Sequence, residues 1–138
     1  MKLDALQTAL YAKLIADAPL MALITGVYAE PQQQPASEDR SAFPYVVIGE
    51  DVGTPWDTKS DFGTSASVVI DVYSRSNNFL EAKQIAGAVK LALHHTALTI
   101  IGANHVMTVV EMITTVREAD GITKRAIMQI RVVYDGTE

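Results

Sequence analysis

Three histidines, His94, His95 and His105, are the strongest acid–base candidates in the chain. Imidazole is the one side chain whose unperturbed titration falls near neutrality. His94 and His95 are adjacent, so on a helix their side chains diverge by about 100° and cannot both face one ion. A site drawn from His95, His105 and Glu111 or Asp71 is conceivable. The competing reading leaves the histidines solvated or at a helix C-terminus, where the macrodipole favours a cation. Asp71 and Glu111 are carboxylates on predicted strands and could form a general acid–base pair. Alternatively both lie on the wet face of a sheet, where Arg125 and Arg131 pair with them across strands. The sequence holds no phosphate-cradling glycine loop, no nucleophile elbow and no His-Glu-x-x-His. It holds no cysteine either, which removes a thiol nucleophile, thiolate zinc and iron–sulfur clusters. An enzyme is not favoured; no catalytic residue, metal site or cofactor is assigned.

Interaction chemistry is better represented. Trp56, the only tryptophan, follows Pro55 in a polar, acidic stretch with Asp57 and Lys59. Such an aromatic is either tucked onto its own domain or an anchor for a neighbour. Formal charge is −5, and its source is local. Glu30, Glu38, Asp39, Glu50, Asp51, Asp57 and Asp61 face only Arg40 and Lys59 between residues 29 and 65, which accounts for the whole excess. That balance argues against gripping a phosphate backbone. No apolar run approaches the ~20 residues of a membrane span, and the start of the chain lacks an apolar signal region.

The elements that must position these residues follow from periodicity. At 138 residues, 49% apolar and 20% charged, the chain is one domain's worth of ordinary globular sequence. Leu3, Leu6, Leu10 and Leu14 recur at helical spacing. Ala18-Pro19 ends that helix, and Pro19 suits the first turn of a short second one over residues 20–24. Residues 29–42 and 51–65 are predicted as long loops flanking a strand core at Tyr45-Val46-Val47-Ile48. Val68, Ile70 and Val72 alternate with Ser67, Asp71 and Tyr73, a half-buried strand. Asn77 or Asn78 caps a helix to about His95, with Ala82, Ile85, Val89 and Ala92 inward. Gly87 inside that helix suggests the close approach of another backbone. Residues 97–101 read as a short strand or connector. Two long strands, 106–116 and 123–134, are joined by Glu118-Ala119-Asp120-Gly121 as a hairpin. Ala126, Met128, Ile130, Val132 and Tyr134 form its dry face, with Arg125, Gln129 and Arg131 on the wet one. The expected fold is α+β, a mostly antiparallel sheet of about four strands with helices on one face, a single domain over 1–138.

Four segments carry a family resemblance. They are Leu6-Gln7 with Ala9-Leu10-Tyr11, Leu14 and Asp17-Ala18; Phe43-Pro44-Tyr45-Val46-Val47-Ile48-Gly49-Glu50 running into Thr54-Pro55-Trp56-Asp57-Thr58-Lys59; Asp71-Val72-Tyr73-Ser74-Arg75 followed by Glu81-Ala82-Lys83-Gln84-Ile85 and residues 91–95; and the closing hairpin with Arg117, Asp120-Gly121 and Arg131. In order and texture, from Leu3 to about Tyr134, the chain resembles the tail completion (tail terminator) proteins of long-tailed bacteriophages and gene transfer agents. The stretch 29–42 is longer and richer in glutamine than that pattern. The resemblance implies an α+β virion protein, assembled in the bacterial cytoplasm, that forms a hexameric ring on the head-proximal end of the tail tube. Such a ring halts tube polymerisation and offers a surface to the head connector or stopper, while DNA passes through its lumen without specific binding. Trp56, Asp57, Lys59, Arg125 and Arg131 are then the expected interface residues. Rival readings are another head–tail ring (stopper or adaptor), a small oligomeric α+β binding module and, last, a hydrolase using His95 or His105.

Overall fold

The structure, a computed structural model, describes residues 2–29, 43–57, 62–119 and 121–136. In chain order the elements are α1 (Leu3–Ile15), α2 (Ala18–Met21), β1 (Val27–Tyr28), β2 (Tyr45–Pro55), β3 (Gly63–Ser74), α3 (Leu80–Leu93), β4 (Asn104–Arg117) and β5 (Lys124–Asp135). The strands form one sheet in the order β1-β2-β3-β5-β4, parallel between β1 and β2 and antiparallel elsewhere. β3 and β4 therefore run in the same sense with β5 between them, and α3 is the crossover that makes this possible.

Local chemistry sets the helix boundaries. Asp17 accepts the Leu20 N–H at 3.0 Å and caps α2, with Pro19 in the first turn. Asn78 accepts the Leu80 N–H at 2.9 Å at the start of α3. Ser74 Oγ donates to Glu81 at 2.6 Å and accepts the Ser76 N–H, tying the end of β3 to the first turn of α3. Gly121, at φ +75°, completes the β4–β5 turn, a conformation that glycine adopts at no steric cost.

All three helices cover one face of the sheet. Leu6, Leu10 and Leu14 of α1, Leu20 of α2 and Ile85, Val89 and Leu93 of α3 close over Val46, Ile70, Met128, Ile130 and Val132. Each such side chain contributes about 1.5–3 kcal/mol when fully buried. The dry face expected for the last strand is this one. On the opposite face a small second cluster gathers Phe43, Tyr45, Val47 and Tyr73, with Tyr28 against it. No described helix is long and apolar enough to cross a membrane.

The fold differs from expectation in three places, and residues 97–101 take the connector form, one of the two expected for them. The sheet has five strands; the fifth, β1, is two residues long and too short to show a period. The loop expected from residue 51 is strand as far as Pro55, because Asp51, Val52, Gly53 and Thr54 pair with Val68, Ser67, Ala66 and Ser65 through backbone groups that ignore side-chain polarity. A one-residue bulge between Ile48 and Asp51 turns Val52 to the outer face, which disguises the alternation. Among the described residues no other element approaches Gly87, where an added Cβ would meet nothing within 4 Å outside its own helix backbone. Residues 97–101 are a connector that anchors Leu98 and Ile100 in the core. Nearly all of the predicted loop 29–42 lies outside the described residues.

Candidate interaction surfaces

The helix-free face of the sheet holds the charged residues singled out from the sequence. Arg125 Nη2 donates to Asp71 Oδ2 at 2.9 Å, and its Nη1 lies 3.6 Å from Glu118. The pair forms because β3 and β5 set Tyr73 opposite Arg125 and Asp71 two pairs further along, opposite Ile127 and on the same face. The hydrogen bond to Asp71 is the main cause that raises the Arg125 pKa. Burial first, and nearby acids after it, raise that of Tyr73. Tyr73 stacks on Tyr45 with centroids 5.1 Å apart, and Phe43 packs on the same ring at 5.0 Å. Arg75 covers Phe43 at 4.6 Å and donates from Nε to Thr123 at 3.0 Å. Beside this cluster lies an open hollow of about 650 Å³ floored by Val47, Val69, Asp71, Tyr73 and Arg125. Asp71 Oδ1 and Arg125 Nε are buried there without a hydrogen-bond partner among the described residues. Arg131 pairs with Glu111 at 3.2 Å in a far more exposed setting. Both arginines thus pair within the sheet, and Asp71 and Glu111 do not face each other.

Trp56 and Asp57 stand where β2 turns toward β3. The Trp56 N–H donates to the Gly63 carbonyl and the Gly63 N–H to Asp57 Oδ1, both at 2.9 Å. A Cβ on Gly63 would lie 2.3 Å from the Trp56 carbonyl, so only glycine permits this approach. The Trp56 residue is nevertheless 49% exposed. Phe62 is 56% exposed and its carbonyl accepts the Gly136 N–H at 2.9 Å. Gly136 in turn sits against Gly102 and Ala103, beside Ile101, which is 79% exposed. One end of the sheet therefore presents Trp56, Phe62 and Ile101 to solvent. Sequence reasoning found the first and missed the other two; Phe62-Gly63 and Ile101-Gly102, each an apolar residue before a glycine, were the available signal. Lys59 lies outside the described residues.

The histidines serve the edge of β4. His94 is the C-cap residue of α3, and its Nδ1 accepts the Val110 N–H at 3.0 Å. The His95 N–H, at the positive φ of 58°, donates to the Thr108 carbonyl at 2.8 Å. His105 Nε2 lies 2.6 Å from Thr108 Oγ1. The His94 pKa is lowered by desolvation first, then by His95 and Lys90; that of His105 is lowered by burial. His94 is thus held neutral as an acceptor, where the macrodipole alone favours the cation. Among the described residues no three of His, Asp and Glu gather as metal ligands, and the set His95, His105, Glu111 and Asp71 is dispersed over separate partners.

Comparison with known proteins places this arrangement. The family model described as "Tail completion protein gp17" matches residues 8–135. The tail completion protein gp17 of Bacillus phage SPP1 is 32% identical over 127 residues, 92% of this chain and 90% of that protein. A chain in the virion of a native gene transfer agent particle superposes with a TM-score of 0.85 at 28% identity, over 98% of both chains. The structure of bacteriophage SPP1 gp17 protein superposes with a TM-score of 0.63 at 30% identity, over 94% of this chain and 88% of that one.

Proposed function

The chain belongs to the tail completion protein gp17 family, and from that premise we propose that it is a tail terminator. Copies form a ring, a hexamer in this reading, on the head-proximal end of the tail tube. The ring stops tube polymerisation and presents a joining surface to the connector or stopper protein of the head. DNA passes through its centre without specific binding, and the protein works by assembly rather than catalysis. It is assembled in the bacterial cytoplasm and carried in the virion.

The observation that carries this reading is the end-to-end likeness to a chain of a gene transfer agent virion. The surfaces agree with it. A ring subunit needs two different faces for its heterologous contacts, and the chain offers an apolar sheet end at Trp56, Phe62 and Ile101 and a charged sheet face at Arg125 and Arg131. Trp56, with Asp57 next to it and Lys59 three positions on in sequence, acts as an aromatic anchor with a polar rim in a subunit or tube contact. Arg125 and Arg131 bridge to a neighbour while keeping their partners in the sheet. The net charge of −5 suits a conduit that must not brake DNA.

Electron microscopy of particles from cells lacking the gene tests the proposal. Tails of uncontrolled length, unattached to filled heads, are expected. Complete particles with tails of normal length would overturn it. So would normal-length tails that fail only to join heads, which would point to a connector ring nearer the head.

A further inference from the structure

β4 is an edge strand of 14 residues, and its two halves are treated differently. The first half is protected. Bulges interrupt it between His105 and Met107 and between Val110 and Met112, and the end of α3 occupies its outer backbone groups at Thr108 and Val110. Bulges and covering segments are the usual means of blunting a sheet edge. Beyond Glu111 that protection stops. Met112-Ile113-Thr114-Thr115-Val116 has no charge and no proline, and Met112, Ile113 and Thr114 are exposed. An unprotected β-branched edge of this kind is a template for another strand.

Among the described residues the opposite edge of the sheet is also partly unpaired. β1 pairs only with Val46 and Val47, so among the described residues nothing pairs with the outer edge of β2 from Ile48 to Pro55. Where β1 stops, Ala29, Ile48, Gln7 and Tyr11 line an open slot of about 370 Å³.

We propose that the outer edge of β4 from Met112 onward adds to the outer edge of β2 of a second copy of this chain, so that the sheets of neighbouring subunits continue into one another. The proposal rests on the ring reading above and names its joint. Three observations select a second copy. β2 and β5 run one way and β3 and β4 the other, so any rotation that preserves strand direction sets β4 antiparallel to the next β2 and extends an antiparallel sheet. The shorter open stretch fits within the longer, residues 112–117 against residues 48–55. Charge is complementary: Glu50 and Asp51 lie along the β2 edge, whereas Arg117 closes the open stretch of β4, where Glu111 is already paired with Arg131. Two β2 edges together would oppose like charges.

The absence of cysteine makes the test direct. Met112, Thr114 and Val116 of β4 and Val52 and Thr54 of β2 all face the helix-free side of the sheet. Within one subunit β2 and β4 are three strand spacings apart, roughly 14 Å, too far for a disulfide. Single variants at these positions, such as Thr114→Cys and Val52→Cys, are co-expressed pairwise in place of the wild-type chain, and purified particles are oxidised. One β4–β2 combination is expected to give a mixed covalent dimer, and a chain carrying both cysteines of that combination a ladder of higher multiples. Cross-links only between identical β4 variants, or none in particles that contain the variants, would overturn the joint. The gene-deletion phenotype reads the task of the ring and the cross-link reads only its joint, so either can fail alone.

Discussion

His94 Nδ1 accepts the backbone N–H of Val110 at 3.0 Å, so an imidazole at the end of α3 stands where the carbonyl of a neighbouring strand would. The bond requires an unprotonated Nδ1. It joins the C-terminus of the crossover helix to the edge strand it leads into, and it marks the point on β4 where edge protection ends.

The first expected outcome is a loss of stability in mild acid. The folded-state pKa values of His94 and His105 lie below the ordinary 6.5. The unfolded chain therefore binds these protons more readily, and stability rises with pH across the window. Their contribution is intact above about pH 6.5 and is lost as the pH falls through the folded values. Thermal unfolding between pH 5 and 8 measures it. His94→Gln, which keeps an acceptor but cannot titrate, should flatten the slope below pH 6.5; an unchanged slope would remove His94 from this role.

The two ion pairs should differ in worth. Arg125→Ala leaves the buried Asp71 carboxylate unpaired and is expected to destabilise by roughly 2–4 kcal/mol, below the full buried-pair range because Arg125 is itself 30% exposed. Arg131→Ala breaks an exposed pair and should cost less than about 1 kcal/mol. Urea unfolding of the two variants decides, and equal losses would contradict the burial contrast.

Gly87→Ala should stabilise the protein by about 0.5–1 kcal/mol, since the site is helical and an added methyl meets nothing described. A midpoint that falls in urea unfolding would contradict the open space at this site.

Trp56→Ala is expected to leave the unfolding midpoint within about 1 kcal/mol of wild type, as for a half-exposed side chain, yet to weaken capping of isolated tail tubes. Gly63→Ala is the structural control, because its Cβ would collide with the Trp56 carbonyl and displace the strand end. A Trp56→Ala chain that unfolds outright would make the residue core, and its interface role would go.

Much of this protein is written in one-dimensional pattern. The leucines of α1, the alternation from Ser67 to Tyr73 and the dry face from Ala126 to Tyr134 identify their elements because burial repeats at the period of the backbone. The order of those elements carried the family resemblance, and the family match bears it out. Bulges hid the rest. The extra residue between Ile48 and Asp51 and the two in β4 shift the period, so Asp51–Pro55 reads as loop and β4 shows apolar residues on both faces. Which groups meet was settled only in three dimensions. Asp71 and Arg125 are 54 residues apart and touch because β3 lies beside β5. His94 meets Val110 because α3 must cross the sheet and end at its far edge. Strand order places β4 and the end of β2 on opposite edges, and no local period encodes which edge is left open. Pairing is made by backbone groups that every residue carries, so its partners are chosen by the packing of the whole sheet.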